Sequence, residues 1–351
     1  MKVGIHPERY GRVSDFVKRY EEILKYNSIE CEYLSADDPD FFNKLKGLDA
    51  FIYRWYHYDY DKQLATTILP IARDVLKLKT FPDNSTDWHF DDKIKQYYLM
   101  MLNDFPMCKS WIFWEKKKAT EWAQNAMFPL VFKLKGGAGS QNVVLVKSKR
   151  QAIQLINRMF GRGITSFGLL DQQSTSVHDF RIEKYLKVIL WKLKRALFGI
   201  PVETVYQKNK NYVLFQDFLP GNTFDTRVTV IGNRAFAFRR FNRVNDFRSS
   251  GSGFIDHDST KIDIECIKIA FEVSSKLEFQ SMAYDFLCDK SNNPKFVEIS
   301  YSYLDTAIYK CPGHWDRDLK WHEGHLWPQF CQLQDLLSLP DLKQPSLAQS
   351  E

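Results

Sequence analysis

No run of apolar residues in this chain is long enough to cross a bilayer, and the opening segment MKVGIHPERYGRV has no apolar core of the kind an export signal carries. Both absences predict a cytoplasmic protein. A CxxC pair is missing too: Cys31, Cys108, Cys266, Cys288, Cys311 and Cys331 are scattered, so reduced thiols are expected rather than a disulfide framework. Helix-turn-helix, zinc-finger and ribonucleoprotein motifs are absent, which argues against nucleic acid as the source of the net charge of +6. That charge favours anionic partners such as nucleotides, acids or lipid head groups. No Ser/His/Asp or Cys/His set suggests a protein nucleophile, and no internal repeat is visible.

What is present describes a globular protein: 351 residues, 44% hydrophobic and 26% charged, enough for two or three lobes. KVGIH, IECEYLS and DAFIYRW read as strands, and VSDFVKRYEEILKYN carries Phe16, Val17, Tyr20, Ile23 and Leu24 at helical spacing. Their alternation predicts a parallel α/β layer. DDKIKQYYLMMLND predicts a helix with acidic residues at its N-terminus and an apolar stripe of Tyr97, Tyr98, Met101 and Leu102. From residue 129 the period shifts towards strands, interrupted by helices. These shifts divide the chain into an N-terminal α/β domain (1–85), a linker helix with a small lobe (86–215) that carries a basic insert (178–200), a large lobe (216–335) and a loose polar tail (336–351).

PLVFKLKGGAGSQNVVLVK is a glycine-rich turn between two apolar runs. It is not a P-loop or a dinucleotide fingerprint, because a strand rather than a helix follows. A protein kinase places its lysine after such a loop, whereas Lys133 and Lys135 precede this one. A hairpin remains, with lysine on its strand and backbone N–H groups over phosphates; a plain hairpin fits the stretch equally. In YDFLCDKSNNPKFVEIS, pairing across the turn sets Asp285 opposite Glu298. Two acids facing each other in a partly buried sheet are costly, and a divalent cation would remove the cost. Ser300 shares the face of Glu298 and offers a third oxygen. The meander DTRVTVIGNRAFAFRRFNRVNDFRSSGSG spaces Arg227, Arg239, Arg240, Arg243 and Arg248; alternation lets only one of Arg239 and Arg240 face a cleft.

Taken in order from Asp91 to Ser302, these parts resemble the ATP-grasp superfamily, which includes glutathione synthetase, D-alanine–D-alanine ligase and biotin carboxylase. The resemblance implies an α/β and α+β architecture: an N-terminal parallel α/β domain followed by two α+β lobes that clasp ATP. It implies nucleotide contacts at Lys93, Lys133 and Lys135, at Gly137, Gly139 and Ser140 of the glycine loop, and at Gln216, Asp217, Phe218 and Leu219 of a hinge. Asp285 and Glu298 match the family's magnesium carboxylates, for two ions, and Ser300 stands where the family usually has Asn. Arg227, Arg240 and Arg248 follow the glutathione-synthetase-like order and are implied as the catalytic arginines.

The implied activity is an ATP- and magnesium-dependent ligase that joins a carboxylate to an amine through an acyl phosphate. A phosphotransferase and a non-catalytic ATP-binding scaffold are the alternatives. The basic amphipathic stretch 178–200 suggests contact with the inner face of a membrane and a cell-envelope saccharide as substrate; packing on the small lobe is the plainer reading. Cys311, His314, His322 and His325 have spacings that suit zinc, against an aromatic segment that closes over the acceptor site.

Overall fold

Four short strands, β1 (Lys2–Ile5), β2 (Glu30–Tyr33), β3 (Ala50–Ile52) and β4 (Lys79–Phe81), pair in parallel in the order β2-β1-β3-β4. The computed structural model describes residues 1–8, 11–137, 142–165 and 208–347; the basic stretch 178–200 lies outside them. Helix α1 (Asp15–Tyr26) is capped by Ser14 and buries Phe16, Val17, Tyr20, Ile23 and Leu24, the stripe its spacing predicts. Helices α2 (Phe41–Leu45), α3 (Asp59–Pro70) and α4 (Asn84–Asp87) complete this layer.

Helix α5 (Lys93–Leu102) is capped by Asp92, which accepts from the Ile94 and Lys95 amides. Its inward face corrects the expected stripe. Lys93, Ile94, Gln96 and Met100 are buried, whereas Tyr98, Met101 and Leu102 are exposed. Polarity misleads here because the helix turns a charged residue towards the cleft, where Lys93 finds a carboxylate.

The small lobe is an antiparallel sheet in the order β5-β10-β6-β7, from β5 (Ser110–Phe113), β6 (Leu130–Lys133), β7 (Val144–Val146) and β10 (Val213–Asp217). A short pair, β8 (Ile164–Thr165) with β9 (Lys208–Asn209), stands beside it. Helices α6 (Lys116–Asn125) and α7 (Lys149–Met159) contribute Ala119, Ala123, Leu155, Ile156 and Met159 to its core.

A seven-stranded sheet follows. Its path is β15-β14-β11-β12-β16-β17, with β13 paired to β12. The strands are β11 (Phe224–Ile231), β12 (Arg234–Phe241), β13 (Ile255–Asp256), β14 (Ser281–Cys288), β15 (Pro294–Ser300), β16 (Gly313–Trp315) and β17 (Trp321–Glu323). Helices α8 (Ile264–Lys276), α9 (Asp305–Tyr309) and α10 (Pro328–Leu337) accompany it.

One apolar core runs from Val3, Tyr20 and Phe51 of the first layer to Phe236, Tyr284 and Phe296 of the large sheet, so these two parts share an interior. Arg19 of α1 and Asp305 of α9 form a buried ion pair across the junction at 2.7 Å, and Gln329 donates to the same carboxylate at 2.6 Å. The expected loose tail 336–351 is held at several of its described residues: Leu342 is buried, and Lys343 and Gln344 are bonded to Asn27 and Trp327. Among the described residues no helix is long and apolar enough to cross a membrane.

Candidate active site

The hairpin β14–β15 sets Asp285 directly opposite Glu298, and the register shifts just after Asp285. The expectation that only a metal ion makes this pair tolerable needs correction, because each acid already has protein cations. Arg227 donates to Asp285 through Nε at 2.6 Å and Nη2 at 2.8 Å, and Arg240 Nη2 adds a contact at 2.8 Å. Lys93 Nζ lies 2.9 Å from Glu298. Burial opposes ionisation of Asp285, but the Arg227 and Arg240 guanidiniums outweigh it and hold its carboxyl well below the usual range.

Arg240 is held in turn. Asp225 lies opposite it on β11 and accepts from Nε and Nη2, both at 2.7 Å. Asp225 was not among the sequence candidates, although its place two residues before Arg227 on an alternating strand puts it on the same face. Arg239 points to the other face and pairs with Asp256 at 2.5 Å. Arg248 pairs with Asp246, its Nη2 at 2.5 Å.

The lysines approach from the small lobe. Lys133, at the end of β6, is buried with Nζ 3.4 Å from the Val297 carbonyl. Burial lowers its pKa; Glu298 opposes that shift and Lys93 adds to it. Lys93 also donates to the Gly137 carbonyl at 3.0 Å, while the Gly137 amide donates to Asp91 at 2.7 Å. These bonds tie the start of the glycine loop to the N-terminus of α5. A Cβ at Gly136 would stand 2.9 Å from the Asp91 carboxylate and 3.2 Å from the Asp91 carbonyl, so a larger residue there would push Asp91 aside. Lys135 turns towards Tyr212, 5.9 Å from the ring, and does not line the cleft. Gly139 and Ser140 lie outside the described residues.

Two cavities meet at Glu298. The smaller, about 110 Å³, is lined by Lys133, by the end of β10 and its continuation Gln216, Asp217, Phe218 and Leu219, and by Arg248, Asp285 and Glu298. It is narrower than the ~300 Å³ or more of typical ligand pockets. Phe247 closes edge-on against Phe218 at 5.7 Å on its rim. The larger cavity, about 710 Å³, lies between the N-terminal layer and the segment Glu298 to Thr306, and Gly137 lines it. Ser300 lines only the larger cavity, with its hydroxyl donating to the Ser302 carbonyl at 2.8 Å, so it is not brought together with Asp285 as a third ligand. Of the three candidate catalytic arginines, Arg248 lines the smaller of these two cavities, whereas Arg227 and Arg240 line neither and hold Asp285.

The Cys/His segment does not converge. Cys311 is buried with its thiol facing the Ala237 and Ala307 carbonyls, and His314 and His322 face each other across β16–β17 with rings 5.2 Å apart. Among the described residues no group of three or more His, Cys, Asp or Glu is placed to hold a metal ion. The segment edges the large sheet and lines neither of these two cavities.

No protein-family description and no curated protein sequence matches the chain. Solved structures do match. Biotin carboxylase from Campylobacter jejuni, in complex with β,γ-ATP, shares 10% identity over 97% of this chain and 72% of its own, with a TM-score of 0.58. N5-carboxyaminoimidazole ribonucleotide synthetase from Thermotoga maritima shares 13% identity over 97% and 76%, with a TM-score of 0.57. The ATP-grasp ligase PsnB, complexed with minimal precursor, Mg and ADP, shares 13% over 88% and 92%, with a TM-score of 0.53. A parallel N-terminal layer, an antiparallel small lobe and a large sheet facing it across a cleft are thus assembled in the same way, and the chain has the ATP-grasp fold.

Proposed function

We propose that the chain is an ATP- and magnesium-dependent ligase that joins a carboxylate to an amine. The observation that carries this reading is the meeting, in one cleft, of the hinge Gln216–Leu219, Lys133, Arg248 and the opposed pair Asp285 and Glu298. The residues fit a magnesium nucleotide. Two carboxylate oxygens sets suit a hard cation that keeps part of its water and takes phosphate oxygens. Asp285 is held ionised, and Glu298 faces both cavities with its side chain 35% exposed. When bound, magnesium ATP would supply the phosphoryl group that turns the substrate carboxylate into an acyl phosphate; the amine would then attack the acyl carbon and displace phosphate, leaving the amide.

Each side chain has a part in this reading. The hinge backbone holds the base. Lys133 gains a counter-charge when phosphates arrive, which offsets the cost of its burial. Lys93 exchanges Glu298 for phosphate. Arg248, on the cleft wall, stabilises the transferring group. Arg227 and Arg240 keep Asp285 charged and aimed, a positioning role in place of direct contact. The neighbours named above support ATP and magnesium as cofactors, since PsnB was solved with Mg and ADP.

The saccharide acceptor and the membrane contact rest on the stretch 178–200, which is not among the described residues. A screen of paired acids and amines with magnesium ATP tests the ligase. Free phosphate released in step with amide formation is expected, and abolished in Glu298→Ala. ADP release with phosphate retained on an acceptor would indicate a phosphotransferase instead.

A further inference from the structure

Most charged groups on the wall of the larger cavity are paired with protein. Arg19 meets Asp305 at 2.7 Å, Glu298 meets Lys93 at 2.9 Å, and Asp91 meets Lys62 at 3.2 Å. Asp15 is exposed in the first turn of α1, where the helix dipole favours it. Arg54 is different. It is 9% exposed, and its guanidinium donates only to neutral oxygens: the Tyr56 hydroxyl, Ser302 Oγ at 3.2 Å and the Tyr303 carbonyl at 3.1 Å. The Glu8 carboxylate stands one step behind, accepting from the Tyr56 hydroxyl at 2.6 Å.

The guanidinium carbon lies 3.8 Å from the Phe16 ring centre and 4.4 Å from that of Tyr56. Burying a charge without an opposite charge is costly, and an anionic ligand would offset it. The rings and hydrogen bonds fix the group before any ligand arrives, so little freedom is lost on binding. A guanidinium that neutralises a carboxylate anchors it and blunts it as a nucleophile. The group held here is therefore not the one to be activated.

We propose that Arg54 anchors a non-reacting carboxylate of a substrate in the larger cavity, so that one of the two substrates is a dicarboxylic acid or an amino acid. The assignment rests on the ligase reading, because the anchored compound must extend to Glu298, the wall shared with the nucleotide cleft.

Calorimetric titration of the full chain tests it, with succinate, L-glutamate, n-butylamine and inorganic phosphate as probes, each with and without the non-hydrolysable magnesium AMPPNP. Succinate or glutamate is expected to bind and n-butylamine to fail; which acid binds more tightly separates the two sources of the carboxylate. Arg54→Gln keeps a planar polar group against Phe16 and should weaken carboxylate binding at least about tenfold, with magnesium AMPPNP affinity unchanged. Arg54→Lys, which keeps the charge and loses the fork, should recover part of it.

Equal carboxylate binding by wild type and Arg54→Gln overturns the proposal, as does absence of carboxylate binding by wild type or tighter binding of phosphate than of both acids. Failure of AMPPNP to bind wild type would count against the ligase reading alone, since the titrations without nucleotide still report on Arg54.

Discussion

Asp225 grips Arg240 across adjacent strands with both carboxylate oxygens at 2.7 Å, while the same guanidinium reaches Asp285 at 2.8 Å. With Arg227 the group contains two acids and two bases, all on β11, β12 and β14. Arg240 is therefore shared rather than spent on Asp285. Asp225→Asn should release it to bind Asp285 more tightly and draw that carboxylate from the metal. The expected result is a fall of about tenfold in apparent magnesium affinity, with a loss of about 3 kcal/mol in stability from the unbalanced buried charge. Magnesium titration of ADP release and urea denaturation read the two effects.

The opposed acids should behave differently when neutralised. Asp285→Asn leaves two guanidiniums short of a partner and should cost about 3–5 kcal/mol. Glu298→Gln takes a counter-charge from buried Lys93 and Lys133, but the Glu298 side chain is itself 35% exposed, so its cost is expected to be smaller than that of Asp285→Asn. Both should lose magnesium-dependent turnover. Denaturation midpoints beside activity separate a fold effect from a site effect.

Lys133 is buried, and its lowered pKa records what burial costs its charged form. Lys133→Met should leave the free protein at least as stable as wild type while nucleotide binding weakens by about tenfold or more. Thermal melts with and without magnesium AMPPNP check this: the variant should lose most of the shift that wild type shows.

Legibility followed the range of the interactions. The facing of Asp285 and Glu298 was readable because a turn between Lys290 and Pro294 fixes the register locally. The stripe of α1 was readable because all its apolar members face one core. The partners of those acids were harder to foresee, since Lys93 comes 205 positions before Glu298 and Arg227 sits 58 before Asp285. Arg19 with Asp305, 286 positions apart, leaves no local trace at all. Helix α5 misled because its inward face carries Lys93 and Gln96, so a reading by polarity chose the wrong side. The polar tail misled similarly: Leu342 is buried, and Lys343 and Gln344 bond to residues far away in sequence.

Acid should weaken the fold. Burial pushes His6 and His89 down to about 4 each. A histidine with its folded pKa below the unfolded value near 6.5 takes up its proton first in the unfolded chain, so stability falls as pH drops from about 6.5 to about 4. Asp87 works the other way, because burial lifts it to about 6 and the fold gains a proton there first. His89→Leu removes one such group and should reduce the dependence on pH by up to about 1.4 kcal/mol per pH unit, measured by urea denaturation at pH 6 and pH 4.5.

Calorimetric titration of magnesium AMPPNP into wild type and Glu298→Ala, each repeated with EDTA, addresses the central claim most directly. The account predicts one site on wild type that depends on magnesium and is lost or weakened at least about tenfold in the variant. Heat that is identical with EDTA, or identical between the two proteins, would contradict a magnesium nucleotide held between Asp285 and Glu298.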